Sequence, residues 1–280
     1  MILVTGATGN VGRELVSLLL GDGAEVAAVT RNPATTALPD GTHLVGGDPS
    51  RPETLAPALR GVEAIFLNLR SVGDGAAELL SLAAEQGVQR VVLLSALTVE
   101  YPVGLPHFAD AFKAAEGAVK ASGLQWTFLR CADFDANALA WAPQVRSTGT
   151  VRGIYSDAAT SPIHERDIAA VGARALVNGE HAGRSYVLTG PQSLTQPDKV
   201  RLIGEAIGKE LSWAEISPEQ LRAAMLAQGI PADIPERLIG SLADYAKQPG
   251  PTSPAVEEVL GRPALTFAEW AADHAAAFRN

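Results

Sequence analysis

Met1-Ile2-Leu3-Val4-Thr5-Gly6-Ala7-Thr8-Gly9-Asn10-Val11-Gly12 opens the chain. A short apolar strand runs directly into glycines at positions 6, 9 and 12. The residues that follow, Val11, Leu15, Leu18 and Leu19, repeat at helical spacing. Gly6 permits a tight turn out of the strand and Gly9 lets backbone approach a pyrophosphate. Gly12 lets the new helix pack closely on the sheet. The helix N-terminus then offers unpaired N–H groups and a positive dipole end. Thr5, Gly6, Thr8, Gly9, Asn10, Val11 and Gly12 are therefore the expected phosphate cradle of a dinucleotide. A glycine triad alone also marks an ordinary tight turn. The strand before it, the helix after it and a second strand at Glu25–Thr30 supply the context that makes it a dinucleotide fingerprint.

Outward from this motif, strand and helix patterns alternate to about residue 190. Strands are expected at Ile2–Thr5, His43–Gly46, Ala64–Leu69, Arg90–Ser95 and Trp126–Arg130, with shorter ones at Val151–Tyr155, Arg184–Leu188 and Leu211–Ile216. Helical stretches run over Val11–Leu20, Pro52–Leu59, Gly75–Gln86, Pro106–Ala121 and Glu165–Val177. Beyond them lie Pro197–Ile207, Pro218–Ala227, Pro235–Tyr245 and Phe267–Phe278, with residues 249–254 a breaker-rich loop. Short apolar runs between helices predict an α/β fold: a doubly wound parallel sheet of Rossmann type. Residues 1–150 read as the NAD(P)-binding core. Residues 151–280 read as sheet completion followed by a smaller, mainly helical substrate-binding region.

Composition narrows the function. A net charge of −9 offers no basic stripe for nucleic acid. No apolar run approaches the ~20 residues that span a bilayer, and the first strand leaves no room for a secretory signal. Cys131 is the only cysteine, so no intrachain disulfide forms, and the five histidines lack metal-ligand spacing. A cytoplasmic protein with a small-molecule substrate, no metal, no nucleic-acid partner and no membrane association is expected. A homodimer is the default assembly.

The end of the second strand bears on the choice of nucleotide. Thr30-Arg31-Asn32-Pro33 places a cation where an NAD-selective site carries an acid. Glu25 stands at the wrong end of that strand. Arg31 is suited to a 2′-phosphate, so NADP(H) is expected over NAD(H), the other reading being a solvated arginine. Asp48 closes the third strand, either accepting from an adenine amino group or acting as a turn residue. Asn68, Leu69 and Arg70 follow the fourth strand and should line the nicotinamide-ribose side.

With those residues in place, the chain resembles the NmrA-like atypical short-chain dehydrogenase/reductases, a group that includes NAD(P)H:quinone oxidoreductases. The likeness runs through Thr5–Gly12, Thr30-Arg31-Asn32-Pro33, Val92-Leu93-Leu94-Ser95-Ala96, Lys113-Ala114-Ala115-Glu116, residues 122–130 and Pro162-Ile163-His164-Glu165-Arg166-Asp167. The resemblance implies a hydride-transfer site in which Ser95 and Lys113 match the serine and lysine. The tyrosine position holds Ala109. Tyr101 and His107 are the nearby groups that could supply a proton instead, or else lie at the surface. Phe134 and Asn137 match substrate-facing positions. Asp133 is unusual there; it and Asp135 read as acid/base partners or, in the plainer reading, as a solvated pair or helix cap. Cys131 reads as a small buried hydrophobe and Trp141, Trp213 and Trp270 as core or pocket lining.

Two functions fit these residues. One is an NADPH-dependent reductase of a quinone, enone or aromatic polyketide-like ketone, since such acceptors tolerate the missing tyrosine. The other is an NADP(H)-binding redox sensor that acts on a protein partner without turnover.

Overall fold

The computed structural model describes residues 1–279. Seven parallel strands form the central sheet: β1 (Ile2–Val4), β2 (Val26–Thr30), β3 (His43–Gly46), β4 (Ala64–Asn68), β5 (Arg90–Ala96), β6 (Gln125–Cys131) and β8 (Arg184–Leu188). Their order is β3-β2-β1-β4-β5-β6-β8. The chain winds outward from β1 to β3, then returns to the other side of β1 with β4. That reversal opens a crevice beyond the carboxyl ends of β1 and β4, where ligands bind in doubly wound sheets.

Side chains alternate between the two faces with the period of two that a pleated strand imposes. Val4, Phe66, Val92 and Leu129 pack with α1 (Asn10–Gly21) and α6 (Glu165–Val177). Leu3, Ile65, Leu67, Leu93 and Phe128 pack on the opposite face, with α3 (Ala76–Glu85) and α4 (His107–Ala121). Both faces are buried, which explains the continuous apolar runs of these strands.

A third core belongs to the later residues. Val151, Ile203, Phe267, Trp270 and Phe278 meet there, with Trp270 wholly buried. It joins α5 (Ala142–Thr148), α7 (Gln196–Ile207), α11 (Phe267–Asp273) and α12 (Ala275–Phe278). Beside it β7 (Thr150–Gly153) and β9 (Ser212–Glu215) pair in a separate parallel ribbon. The helices α8 (Pro218–Ala227) and α9 (Asp233–Tyr245) bury only Pro235, and α10 (Ala255–Leu260) covers the α6 side of the sheet. No described helix is long and apolar enough to cross a membrane.

Several elements depart from the pattern reading. Pro52–Leu59 is a 3₁₀ helix with Pro57 inside it, whose ring would clash with the preceding turn's carbonyl in an α-helix. The expected helix at Phe267–Phe278 breaks at His274 into α11 and α12. Leu69, expected as the last residue of the fourth strand, instead opens the short helix α2 (Leu69–Val72). The turn after β6 is a 3₁₀ helix (Asp135–Trp141) leading into α5, neither of which the sequence pattern announced.

Candidate functional site

Gly6 leaves β1 with φ +69°, a conformation that favours glycine. Gly9 is the N-cap of α1, and no side chain caps the first turn, which also lacks an acid. The first N–H groups of a twelve-residue helix are thus left for an anion. A Cβ on Gly12 would lie 2.2 Å from the Gly6 carbonyl oxygen and 2.7 Å from Ala7 Cα. The bare backbone is what allows the loop to fold over the helix. Thr8, Gly9 and Asn10 are exposed and Val11 is buried, so Val11 has only its backbone to offer. Arg13, which the sequence reading passed over, donates to the carbonyls of Thr8 (3.1 Å) and Ala37 (2.8 Å), tying the loop to the β2–β3 connection.

Thr5 joins the start of the glycine loop to β4. Its hydroxyl donates to Phe66 O (2.9 Å) and accepts from Asn68 N (2.8 Å), wholly buried. Both bonding capacities are committed to joining β1 with β4, so Thr5 shapes the crevice and does not present its side chain to a ligand.

Arg31 follows β2 directly and is exposed. Asp48 stands near it after β3, with Oδ1 accepting from Ser50 Oγ (2.7 Å) and Ser50 N (3.1 Å). These bonds, aided by the charges of Arg31 and Arg51, hold its carboxyl below the ordinary carboxylate range. The turn role of Asp48 is therefore present in the structure. Asn68 caps α2 by accepting from Arg70 N (3.0 Å), Leu69 is half-buried, and the Arg70 side chain is exposed.

The residues that the resemblance assigns to hydride transfer lie at the end of β5 and on α4. Ser95 is buried and its hydroxyl donates to Glu116 Oε1 (2.7 Å). Glu116, also buried, receives Arg130 Nε (3.0 Å) and Nη2 (2.7 Å), and Arg130 Nη1 reaches Glu100 (2.9 Å). Lys113 lies one helical turn before Glu116 but is exposed, 3.8 Å from Asp110. His107 begins α4 on the surface beside Phe108, and Tyr101 is 43% exposed. Ala109 is buried, leaving no phenol on this face of α4. Glu116 had a sequence signal, since it is the lone charge in the buried stripe Ala109, Ala115, Val119.

Beyond β6 the expected solvated pair of aspartates does not exist. Asp133 is 37% exposed and accepts from Thr160 Oγ1 (2.9 Å). Thr160 in turn accepts from Lys199 Nζ (2.7 Å), which also lies 3.8 Å from Asp133 Oδ2. Lys199 is buried on α7, and burial lowers its pKa against the pull of both aspartates. Asp135 is 1% exposed, and neither carboxyl oxygen has a hydrogen-bond partner. It does not cap the following turn, which begins after Phe134 without a side-chain cap. Burial, reinforced by the charges of Asp133 and Glu165, pushes its pKa well up. Phe134 is half-buried between two cores and Asn137 is exposed. Lys199, too, had a sequence signal: it interrupts the apolar stripe Val200, Ile203, Ile207 of α7.

The raised pKa of Asp135 has a consequence for stability. A carboxyl with a folded pKa above its unfolded value contributes most below the unfolded pKa, about 3.9. The contribution is lost as pH rises through the folded pKa. Asp135→Asn keeps the shape of the protonated acid without its titration. Its melting temperature is expected to match the parent near pH 4 and to exceed it increasingly toward pH 8. A constant offset across that range would refute the buried acid.

Nearby, His164 caps α6 by accepting from Arg166 N through Nδ1 (3.2 Å). Cys131 is buried and its thiol is pushed up by desolvation, as befits a small hydrophobe.

A family described as NAD(P)H-binding matches residues 6–178. The chain is 37% identical over 282 residues to a (4-alkanoyl-5-oxo-2,5-dihydrofuran-3-yl)methyl phosphate reductase of Streptomyces griseus, covering 99% of each. It is 33% identical to an NAD(P)H azoreductase of Xenophilus azovorans, again over 99% of each. An NADPH-dependent quinone oxidoreductase of Escherichia coli, solved with NADPH, superposes with a TM-score of 0.82 at 25% identity, covering 98% of this chain and 99% of that one. The chain belongs to the NAD(P)H-binding family, as an NmrA-like atypical short-chain dehydrogenase/reductase.

Proposed function

We propose that this NAD(P)H-dependent oxidoreductase draws hydride from NADPH in preference to NADH and delivers it to a conjugated carbonyl, a quinone, enone or aromatic ketone. The observation that carries the reading is the uncapped glycine loop after β1 together with the exposed Arg31 after the paired parallel strand β2. One supplies neutral N–H donors for the pyrophosphate and the other a cation for a 2′-phosphate. The bound nicotinamide supplies the hydride. On the protein side, the first N–H groups of α1 hold phosphate oxygens, and Asp48, Asn68, Leu69 and Arg70 border the same crevice.

The missing phenol sets the acceptor class. Hydride delivered to a conjugated carbonyl leaves a delocalised oxyanion, which takes its proton from solvent. Ser95 has its hydroxyl proton committed to Glu116, and Lys113, exposed on α4, is the donor assigned to that oxyanion. The relatives named above are reductases of an oxo-dihydrofuran ester, an azo compound and a quinone. Their unsaturated acceptors support this class.

Arg31→Ala is expected to weaken NADPH binding by roughly 10- to 100-fold, the loss of ~1.5–3 kcal/mol for a charge-assisted bond, while leaving NADH unchanged. Titration by nicotinamide fluorescence reads both. Equal losses for the two nucleotides would remove the NADP preference. Tight NADP+ binding with no turnover of any acceptor would overturn the reductase.

A further inference from the structure

Asp133 is the one residue of the β6 turn that combines a charge, exposure and a built support. Its Oδ2 is held from behind by Thr160 Oγ1 at 2.9 Å, and Thr160 is held by Lys199 Nζ at 2.7 Å. Thr160 is 3% exposed and Lys199 4%, so the ammonium is sealed beneath the hydroxyl and its charge is spent on Asp133. The carboxylate itself remains 37% exposed, on the sheet edge where the glycine loop opens.

The neighbours respond to Asp133 as a negative charge. Asp135, buried and unpartnered, has its pKa pushed well up by desolvation and then by Asp133. The Tyr245 phenol at the end of α9 is pushed up to about 12 by burial and by the same carboxylate. Of the Asp133–Lys199 pair, the member exposed at the end of β6 is the carboxylate. An anion arriving there meets the carboxylate first, because its partner Lys199 is buried and bonded behind it.

We infer that Asp133 sets the charge of the acceptor: the end of β6 takes an uncharged or cationic conjugated acceptor and rejects one that carries a phosphate or sulfonate. The inference rests on the reductase reading for its reaction and on the Asp133–Thr160–Lys199 array for its selectivity. The Streptomyces griseus relative is named for a phosphate ester, and this chain is expected not to share that acceptor.

A matched pair of probes tests it: 1,4-naphthoquinone and 1,4-naphthoquinone-2-sulfonate, with NADPH for turnover and with NADP+ for binding by tryptophan quenching. The parent protein is expected to favour the neutral quinone at least tenfold in both kcat/KM and Kd, which is ~1.4 kcal/mol. Asp133→Asn should bring the two quinones within about threefold. Because Asp133→Asn leaves Lys199 buried without its partner, Asp133→Asn/Lys199→Gln serves as the charge-balanced version, with the same expected collapse. Preference for the sulfonate, or a preference for the neutral quinone that survives in both variants, overturns the inference. Binding that shows the preference without turnover of either quinone sinks the reductase reading and leaves the charge selection standing.

Discussion

Gly12→Ala is expected to abolish nucleotide binding and to lower the melting temperature by roughly 6–12 °C, the equivalent of about 3 kcal/mol in a chain of this size. The added methyl would sit 2.2 Å from the Gly6 oxygen and under 3 Å from two backbone atoms of Ala7. None of these can rotate away, so either α1 moves off β1 or the glycine loop opens. Both alter the first turn of α1, which is the part proposed to receive the pyrophosphate. Gly9→Ala is the natural comparison, because its Cβ would meet only the Gly6 oxygen, at 3.3 Å. That variant is expected to stay within about 1 kcal/mol of the parent while still binding NADPH less well. Thermal unfolding and NADPH titration of the two variants separate folding from binding. A Gly12→Ala protein that melts like the parent would contradict the described packing.

Glu116→Ala is expected to cost about 3–5 kcal/mol, although the residue touches neither proposed phosphate site nor solvent. The side chain of Arg130 is only 16% exposed and gives two hydrogen bonds to Glu116, whose own side chain is 5% exposed. Removing the carboxylate strands a guanidinium between β6 and α4 with only the outer Glu100 for company, and frees the Ser95 hydroxyl as well. The cost comes from the uncompensated charge more than from the pair's own attraction. Glu116→Leu/Arg130→Met removes both charges and is therefore expected to recover most of the loss. Chemical denaturation of the single and double variants measures the difference. A double variant as unstable as Glu116→Ala alone would show that packing, and not charge, governs this site.

The cofactor half of the molecule was legible because its signals are local. A strand that ends in Gly6, a helix that begins after Gly9, and a Gly12 that must lack a side chain are consequences of backbone geometry within twelve residues. The strand at His43–Gly46 and the helix at Glu165–Val177 were readable to the residue, since apolar period and flanking turns agree there. The failures also have local causes. Pro57 changed the type of one helix, and the turn at residues 135–148 has too little period to announce itself.

The acceptor half was not legible in this way, because its chemistry depends on which distant residues meet. Sequence alone determined the doubly wound sheet, the glycine loop, the cation at Arg31 and the absence of tyrosine at Ala109. Only the tertiary structure decided that the Ser95 hydroxyl turns to Glu116, that Thr5 bridges two strands, and that Lys199, more than sixty residues after Asp133, closes over it from α7. The physical reason is the range of the forces. Backbone conformation and apolar periodicity act over a few residues, whereas the state of a buried charge follows from the partner that the fold brings to it.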